Sequence, residues 1–336
     1  MSLEKLTPYE RDAWQHSIDV LYAPTRLKVI PAGIRTRVSD AASKFSDVVA
    51  DVPAAEAMKD VAENVFEGTL ALTFQPALRS TRPDAIVKRY AKRHPDVRTL
   101  KHVRELSLED RDAMRPPKFR YAAASAGEGA ATALAVTGAE VSRTVKGGTV
   151  AAVALGAVAV DSVASMAMMG RTIGAVATRY GYDVGIPEEE LFAMGVLSLG
   201  MATSVGAKAH ALAALSRLAQ EMMRQATWKQ LNEHLLVQAV AKAYQMLGLR
   251  LTHRKLAQTL PYVGIGINAA LSAQMTEQTF RRAQAVYRLR VLSEIYDIHP
   301  EEWVEASPGD DAERRKGEEQ VVDVLEVLEG QRAGHL

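Results

Sequence analysis

Few residues in this 336-residue chain stand at spacings that do chemistry. The absence of cysteine removes thiolate metal sites, cysteine nucleophiles and a disulfide framework together. The eight histidines, at positions 16, 94, 102, 210, 234, 253, 299 and 335, form no His-Glu-x-x-His or similar ligand pattern, so no metal site is expected. Gly264-Ile265-Gly266-Ile267-Asn268-Ala269 has the letters of a dinucleotide fingerprint. That motif works only after a strand and inside a βαβ unit, and here the flanking pattern is helical. It reads as a glycine-permitted start to a helix, and no cofactor is expected. Gly195 to Gly200 carries one residue too many for a nucleophile elbow, and Ser204 and Lys208 are four apart where a Ser-x-x-Lys pair needs three.

Two acids in apolar surroundings remain. Asp161 is the one charge in the twenty-four residues from Gly147 to Gly170, and Glu128 sits between Gly127 and Gly129 in an Ala- and Gly-rich run. The stretch from Gly147 to Lys208 reads as a tightly packed helical hairpin, its second limb, Leu191 to Ala207, being uncharged over seventeen residues. With the turn near Asp183 and Val184, Asp161 falls level with residues 206 to 207 of the returning limb. A buried acid is tolerated only when paired and hydrogen-bonded. The expected partner is therefore Lys208, with Arg171 as competitor. Glu128 is read as a cap or cavity-lining residue, or as a functional acid sharing a polar site with Asp161 if their helices adjoin.

The hairpin must also be weighed as a membrane element. A spanning helix needs about 20 predominantly apolar residues. Asp161 at the centre of the first limb costs about 2.5 to 3.5 kcal/mol on insertion scales, and Ala and Gly return little. Mean hydropathy over the chain is −0.08. A packed hairpin is the expectation and a bilayer-dipping one the alternative. Small residues four apart, such as Gly170 and Gly174, suit close helix packing in either solvent.

The net charge of +1 conceals an asymmetry. Arg79 to Arg104 holds nine Lys or Arg against two acids, and Glu301 to Glu329 holds eleven acids against three bases. The basic stretch has one aromatic, Tyr90, and no recognised nucleic-acid module, so nucleic acid is not an expected partner. An anionic membrane surface suits it better, with Lys88, Arg89, Lys92 and Arg93 as the candidate contacts. A protein partner is the other use of such charge, and the oligomeric state is left open. The N-terminus lacks a secretory signal pattern, from which a cytoplasmic location is expected.

These residues are positioned by helices. Thr7-Pro8-Tyr9-Glu10 has the form of a capping box opening a helix from Pro8 to about Tyr22, with Trp14, Ile18 and Leu21 on one face. Pro83 opens a basic helix with Ile86, Val87 and Tyr90 inward, and Ser107-x-x-Asp110 caps another. Pro187 and Glu188 to Glu190 start a helix and complement its dipole. An amphipathic run extends from His210 to Met246, and a long helix from Asn268 to Tyr296 ends in a basic amphipathic half. No stretch alternates as a strand does. The expected fold is all-α, a multi-helix bundle around the Gly/Ala-rich hairpin. The expected division is an N-terminal helical lobe with the basic segment (1–117), a Gly/Ala-rich body (118–304), and an acidic linker with a short tail helix (305–336).

Tyr9-Glu10-x-x-x-Trp14, the apolar limb with Asp161, the block Arg171-Thr-Ile-Gly-Ala-Val-Ala-Thr-Arg-Tyr180-Gly181-Tyr182-Asp183, the run Leu260 to Ala269, and Tyr287-Arg288 together resemble the EcsC family of bacterial proteins over about residues 8 to 300. That resemblance implies a predominantly helical protein at or near the cytoplasmic membrane, accessory or regulatory to a transport system. It implies no catalytic residue; Arg171, Tyr180, Gly181, Tyr182, Asp183 and Asp161 carry over as motif positions only. Three functions are therefore in view: a peripheral membrane or lipid-interacting protein, an apolar-ligand protein or enzyme with Asp161, Glu128, Arg171 and Lys208 on a cavity wall, and a protein-interaction scaffold.

Overall fold

Thr7 decides where the first long helix begins. Its Oγ1 accepts from the Glu10 amide at 3.3 Å while Glu10 Oε2 accepts from the Thr7 amide at 3.0 Å, and Pro8 occupies the first turn. The result is α1 (Pro8–Tyr22), which buries Trp14, Ile18 and Leu21 as one face. The computed structural model describes residues 2–23, 74–114, 166–202, 204–224, 236–243, 246–247, 265–305 and 322–333. Every regular element among the described residues is a helix, and the fold is an all-α multi-helix bundle.

After a helical turn at residues 74–78 come α2 (Pro83–Ala91), α3 (Leu100–Arg104) and α4 (Leu108–Ala113). Helical residues 166–179 form α5, followed by α6 (Pro187–Met201), α7 (Val205–Met223), the long α8 (Ile265–Tyr296), a single turn α9 (Glu302–Glu305) and α10 (Val324–Ala333). The helices α1 and α6 pack on α8, and α7 packs on α6. Their facing side chains, with those of α5 and α10, make one apolar core; Ile86, Tyr90, Val97, Val103 and Met114 form a smaller satellite under α2 to α4.

Helix α6 carries no apolar stripe because it has no outer face. Leu191, Phe192, Ala193, Met194, Val196, Leu197 and Leu199 are all fully buried, as a helix apolar all round must be. Protein surrounds this half of the expected hairpin, and no described helix is long and apolar enough to cross a membrane.

The returning limb is not continuous. It stops at Met201, and Ser204 caps a new helix by accepting from the Ala207 amide at 3.1 Å. Lys208 therefore belongs to α7, not to a limb continuous with Leu191; Asp161, its expected partner, lies outside the described residues. The amphipathic run placed at His210 begins five residues earlier, at Val205, and its helix ends at Met223 rather than continuing to Met246. The start of α8, at Ile265, lies close to the expected one, and its end at Tyr296 coincides with it. There Asp297 adopts φ 52° and the Ile298 amide reaches back to the Ser293 carbonyl at 3.1 Å, a Schellman-type closure.

The pair Gly170 and Gly174 does bring helices into backbone contact. A Cβ on Gly170 would lie 2.7 Å from the Phe74 carbonyl oxygen, and one on Gly174 would lie 2.1 Å from that of Leu78. Neither obstacle is a side chain that could swing away. Gly174→Ala should therefore cost at least the roughly 1 to 3 kcal/mol of an overpacked core, read as a lower denaturation midpoint at unchanged slope; a variant as stable as the parent would contradict this close approach.

Candidate functional site

Polar chemistry gathers where the C-terminal end of α5 meets α4 and α8. The centre is Asp112, whose side chain is 5 % exposed. Its Oδ1 accepts from Tyr180 Oη, from Arg179 Nη2 at 3.2 Å and from Arg288 Nε at 3.1 Å; its Oδ2 accepts from Tyr9 Oη at 2.9 Å and stands 2.9 Å from Arg288 Nε in an ion pair. Arg179 also lies over the Tyr180 ring, 4.7 Å from its centroid. With its amide oxygen turned inward, Gln284 accepts from Arg179 Nη2 and Arg288 Nη2 at 3.1 Å each. One carboxylate thus ties α1, α4, α5 and α8.

A second network lies beside it. Glu189, at the start of α6, holds Arg290 in a fork of two 2.7 Å bonds. Arg290 Nε donates to Glu294 at 3.0 Å, and Glu294 also accepts from Arg104 Nη2 at 2.8 Å. The Arg290 guanidinium stacks over Tyr182 at 4.1 Å and Phe192 at 4.4 Å, the planar geometry that arginine favours in buried pairs. Burial works to raise the Glu294 carboxyl, but Arg290 and Arg104 outweigh it and hold it below the ordinary value. Burial likewise works to lower Arg290, and Glu189 and Glu294 reverse that and hold it well above its usual value.

The turn between α5 and α6 is fixed by its backbone. Gly181 has φ 93°, and a Cβ there would meet Arg104 Cγ at 2.6 Å, so only glycine fits. Carbonyls left over at the end of α5 find donors: Tyr90 Oη donates to Arg179 O at 2.9 Å, and Arg111 Nη1 to Tyr180 O at 3.2 Å. Arg111 is fully buried and also holds the Leu106 carbonyl, while burial lowers its own pKa. The same device closes α6, where Arg282 Nη1 donates to the carbonyls of Leu199, Gly200 and Ala202 at 2.8 to 3.0 Å.

Burial pushes the Tyr180 phenol up to about 12 and raises Tyr90, Tyr182 and Tyr287 above the ordinary value as well. The hydroxyls of Tyr182 and Tyr287 are buried without a partner among the described residues, in rings 5.4 Å apart. Along the second network runs an open groove of 680 Å³, with Ile186, Met222, Met223, Val291 and Ile295 on its walls and Lys101, Glu105, Glu188 and Asp297 at its charged margins.

The motif positions divide among these roles. Tyr180 belongs to the Asp112 node and Tyr182 to the Arg290 network. Asp183 serves its own turn, accepting from the Gly185 amide at 2.9 Å. Arg171 is half-buried and in neither network. Lys208 is fully buried, its Nζ donating to Ala23 O at 2.8 Å. Glu128 and Asp161 lie outside the described residues. Lys88, Arg89, Lys92 and Arg93 are exposed on and just after α2. Sequence reasoning missed Asp112, Glu189, Arg290 and Glu294. Glu189 and Glu190 read as dipole partners of α6 but are buried on Arg290 and Arg79. The basic half of α8 also differs from expectation: Arg282 and Arg290 turn into the core, so they add nothing to a surface charge. The signal that separates them from the exposed Arg281 is helical phase, one residue in either direction.

This is a helical protein whose interior is organised around buried arginine–carboxylate pairs on either side of the turn Tyr180-Gly181-Tyr182-Asp183. Residues 137–292 match the model of the EcsC protein family. The pair Tyr9 and Trp14 lies outside the matched span, as do Arg104 and Asp112. Neither the curated proteins nor the solved structures give a match.

Replacing Asp112 by Ala leaves Arg179 and Arg288 facing one another without their shared anion and should cost about 3 to 5 kcal/mol, measured by urea unfolding. The Glu294 pair gives a pH signature. Because its folded-state pKa is depressed, its contribution is present above the unfolded value and is lost as pH falls through the folded one. Stability measured from pH 7 downward should fall less steeply in Glu294→Gln than in the parent; parallel curves would show that Glu294 is not held ionised.

Proposed function

We propose that this protein works at an anionic membrane surface as a peripheral, non-catalytic factor on the cytoplasmic side, accessory or regulatory to a membrane transport system. One observation carries the reading. Lys88, Arg89, Lys92 and Arg93 project from α2 and its C-terminal end into solvent, and none has an ion-pair partner among the described residues. The inward face of the same helix, Ile86 and Tyr90, is anchored in the satellite core, so the basic face is held outward by packing. The family supplies the setting, since its resemblance implies work beside a membrane transporter. The buried guanidinium groups of Arg282 and Arg290 are held by carbonyls and carboxylates in structural roles, which supports binding over catalysis.

Each base near an anionic surface contributes about 1 kcal/mol. The four together are worth about 4 kcal/mol, close to a thousandfold in partitioning. Co-sedimentation with phosphatidylglycerol-containing vesicles should be strong at low salt, fall as salt rises, and drop by about that factor when all four residues become alanine. Equal binding to neutral phosphatidylcholine vesicles, or no binding at low salt, would overturn the proposal.

A further inference from the structure

The groove beside Arg290 has features that the membrane reading does not use. It lies between α3, the start of α6, and the C-terminal ends of α7 and α8. Ile186 and Ile295 reach its surface 46 % and 45 % exposed, unusually open for isoleucine, and Met222 and Met223 are half-buried between them. Its charges divide into two sets. Arg104 and Arg290 are engaged by Glu294 and Glu189, and the Arg111 guanidinium by carbonyl oxygens. That leaves Glu105, Glu188 and Asp297 without an ion-pair partner among the described residues, against one cation, Lys101.

A trough that combines five apolar side chains with three uncommitted carboxylates and one ammonium group is complementary to a ligand that is apolar on one side and basic along its flanks. The volume of 680 Å³ accommodates several large side chains, and the trough is only partly enclosed, which suits a docked surface better than a fully buried small molecule. Methionine walls adapt to varied apolar partners. We propose that this groove docks a basic amphipathic helix of a partner protein, its apolar stripe on Ile186, Met222, Met223 and Ile295 and its Lys or Arg residues on Glu105, Glu188 and Asp297. This is the helix-in-groove mode of recognition. It uses a different surface and the opposite charge from α2, so it stands or falls independently of the membrane reading. The exposed face of α2 in a second copy is a poor occupant, since its apolar residues Ile86 and Tyr90 are already buried.

The test uses the full chain and a fluorescein-labelled peptide of about five helical turns, with Leu at i, i+3, i+4 and i+7 and Lys elsewhere. Two controls keep its length: one scrambles the leucines and the other replaces Lys by Glu. Anisotropy should show micromolar binding of the Leu/Lys peptide, roughly tenfold or more tighter than either control. Glu105→Lys with Glu188→Lys, and separately Ile295→Asp, should each weaken it by about tenfold or more. Alanine at Lys88, Arg89, Lys92 and Arg93 should leave it unchanged. In the unsubstituted protein the Met222 and Met223 methyl resonances should shift on titration, which decides the matter if a variant fails to fold. The proposal is overturned if scrambled or acidic peptide binds as well, or if the groove variants or the methyl resonances do not respond. It is also overturned if Ile295→Asp abolishes a self-associated state of the free protein or its binding to vesicles, since the occupant would then be a second copy or the bilayer.

Discussion

The bundle depends on keeping guanidinium groups ionised away from water. Arg111, Arg179, Arg282 and Arg290 are each no more than 4 % exposed, and none of these groups can shed its charge. A buried cation of this kind is tolerated only where oxygen atoms surround it. Asp112 and Glu189 supply carboxylates; the ends of α5 and α6 supply carbonyls that would themselves be orphaned in the interior. The two problems solve one another. Arginine and unsatisfied helix end are buried together, and the helix order around α8 follows from where those oxygens stand.

This logic unites parts of the chain far apart in sequence. Tyr9, Asp112, Tyr180 and Arg288 meet at one carboxylate. The Arg290 network in turn joins α3, α6 and α8 through Arg104, Glu189 and Glu294. Tyr182 and Tyr287 pack their rings against that network with hydroxyls left unpartnered, a local cost of burial that the stacked guanidinium offsets. The span matched by the EcsC family model thus contains the turn and α8 as far as residue 292, while Asp112 and Arg104 precede it and Glu294 follows it.

Much of the fold was legible because it rests on local rules. The Thr7 and Ser107 caps, Pro83 and Pro187 at helix starts, and the inward faces of α1 and α2 all follow from side chains acting on their own backbone or at helical period. The close approach at Gly170 and Gly174 was legible for the same reason. What could not be read was phase and partnership. Arg281 and Arg282 are adjacent and chemically identical, yet one is in solvent and the other caps α6. Asp112 sits in an acidic, surface-like run, and only the arrival of α5 and α8 makes it a centre. The break after Met201 was missed because an uncharged stretch gives periodicity nothing to mark, and Ser204 alone signalled it.

The buried phenols carry a consequence at the alkaline end of the pH scale. Tyr90, Tyr180, Tyr182 and Tyr287 all ionise above the ordinary value of 10.0 while folded. The unfolded chain, with ordinary tyrosines, releases those protons first, so full stability persists below pH 10 and declines above it. Four such groups remove about 5 kcal/mol per pH unit once the unfolded phenols ionise, against a typical total of about 5 to 15 kcal/mol. The aromatic packing that orders this interior therefore also sets an alkaline ceiling, and ionisation of these four phenols reports unfolding.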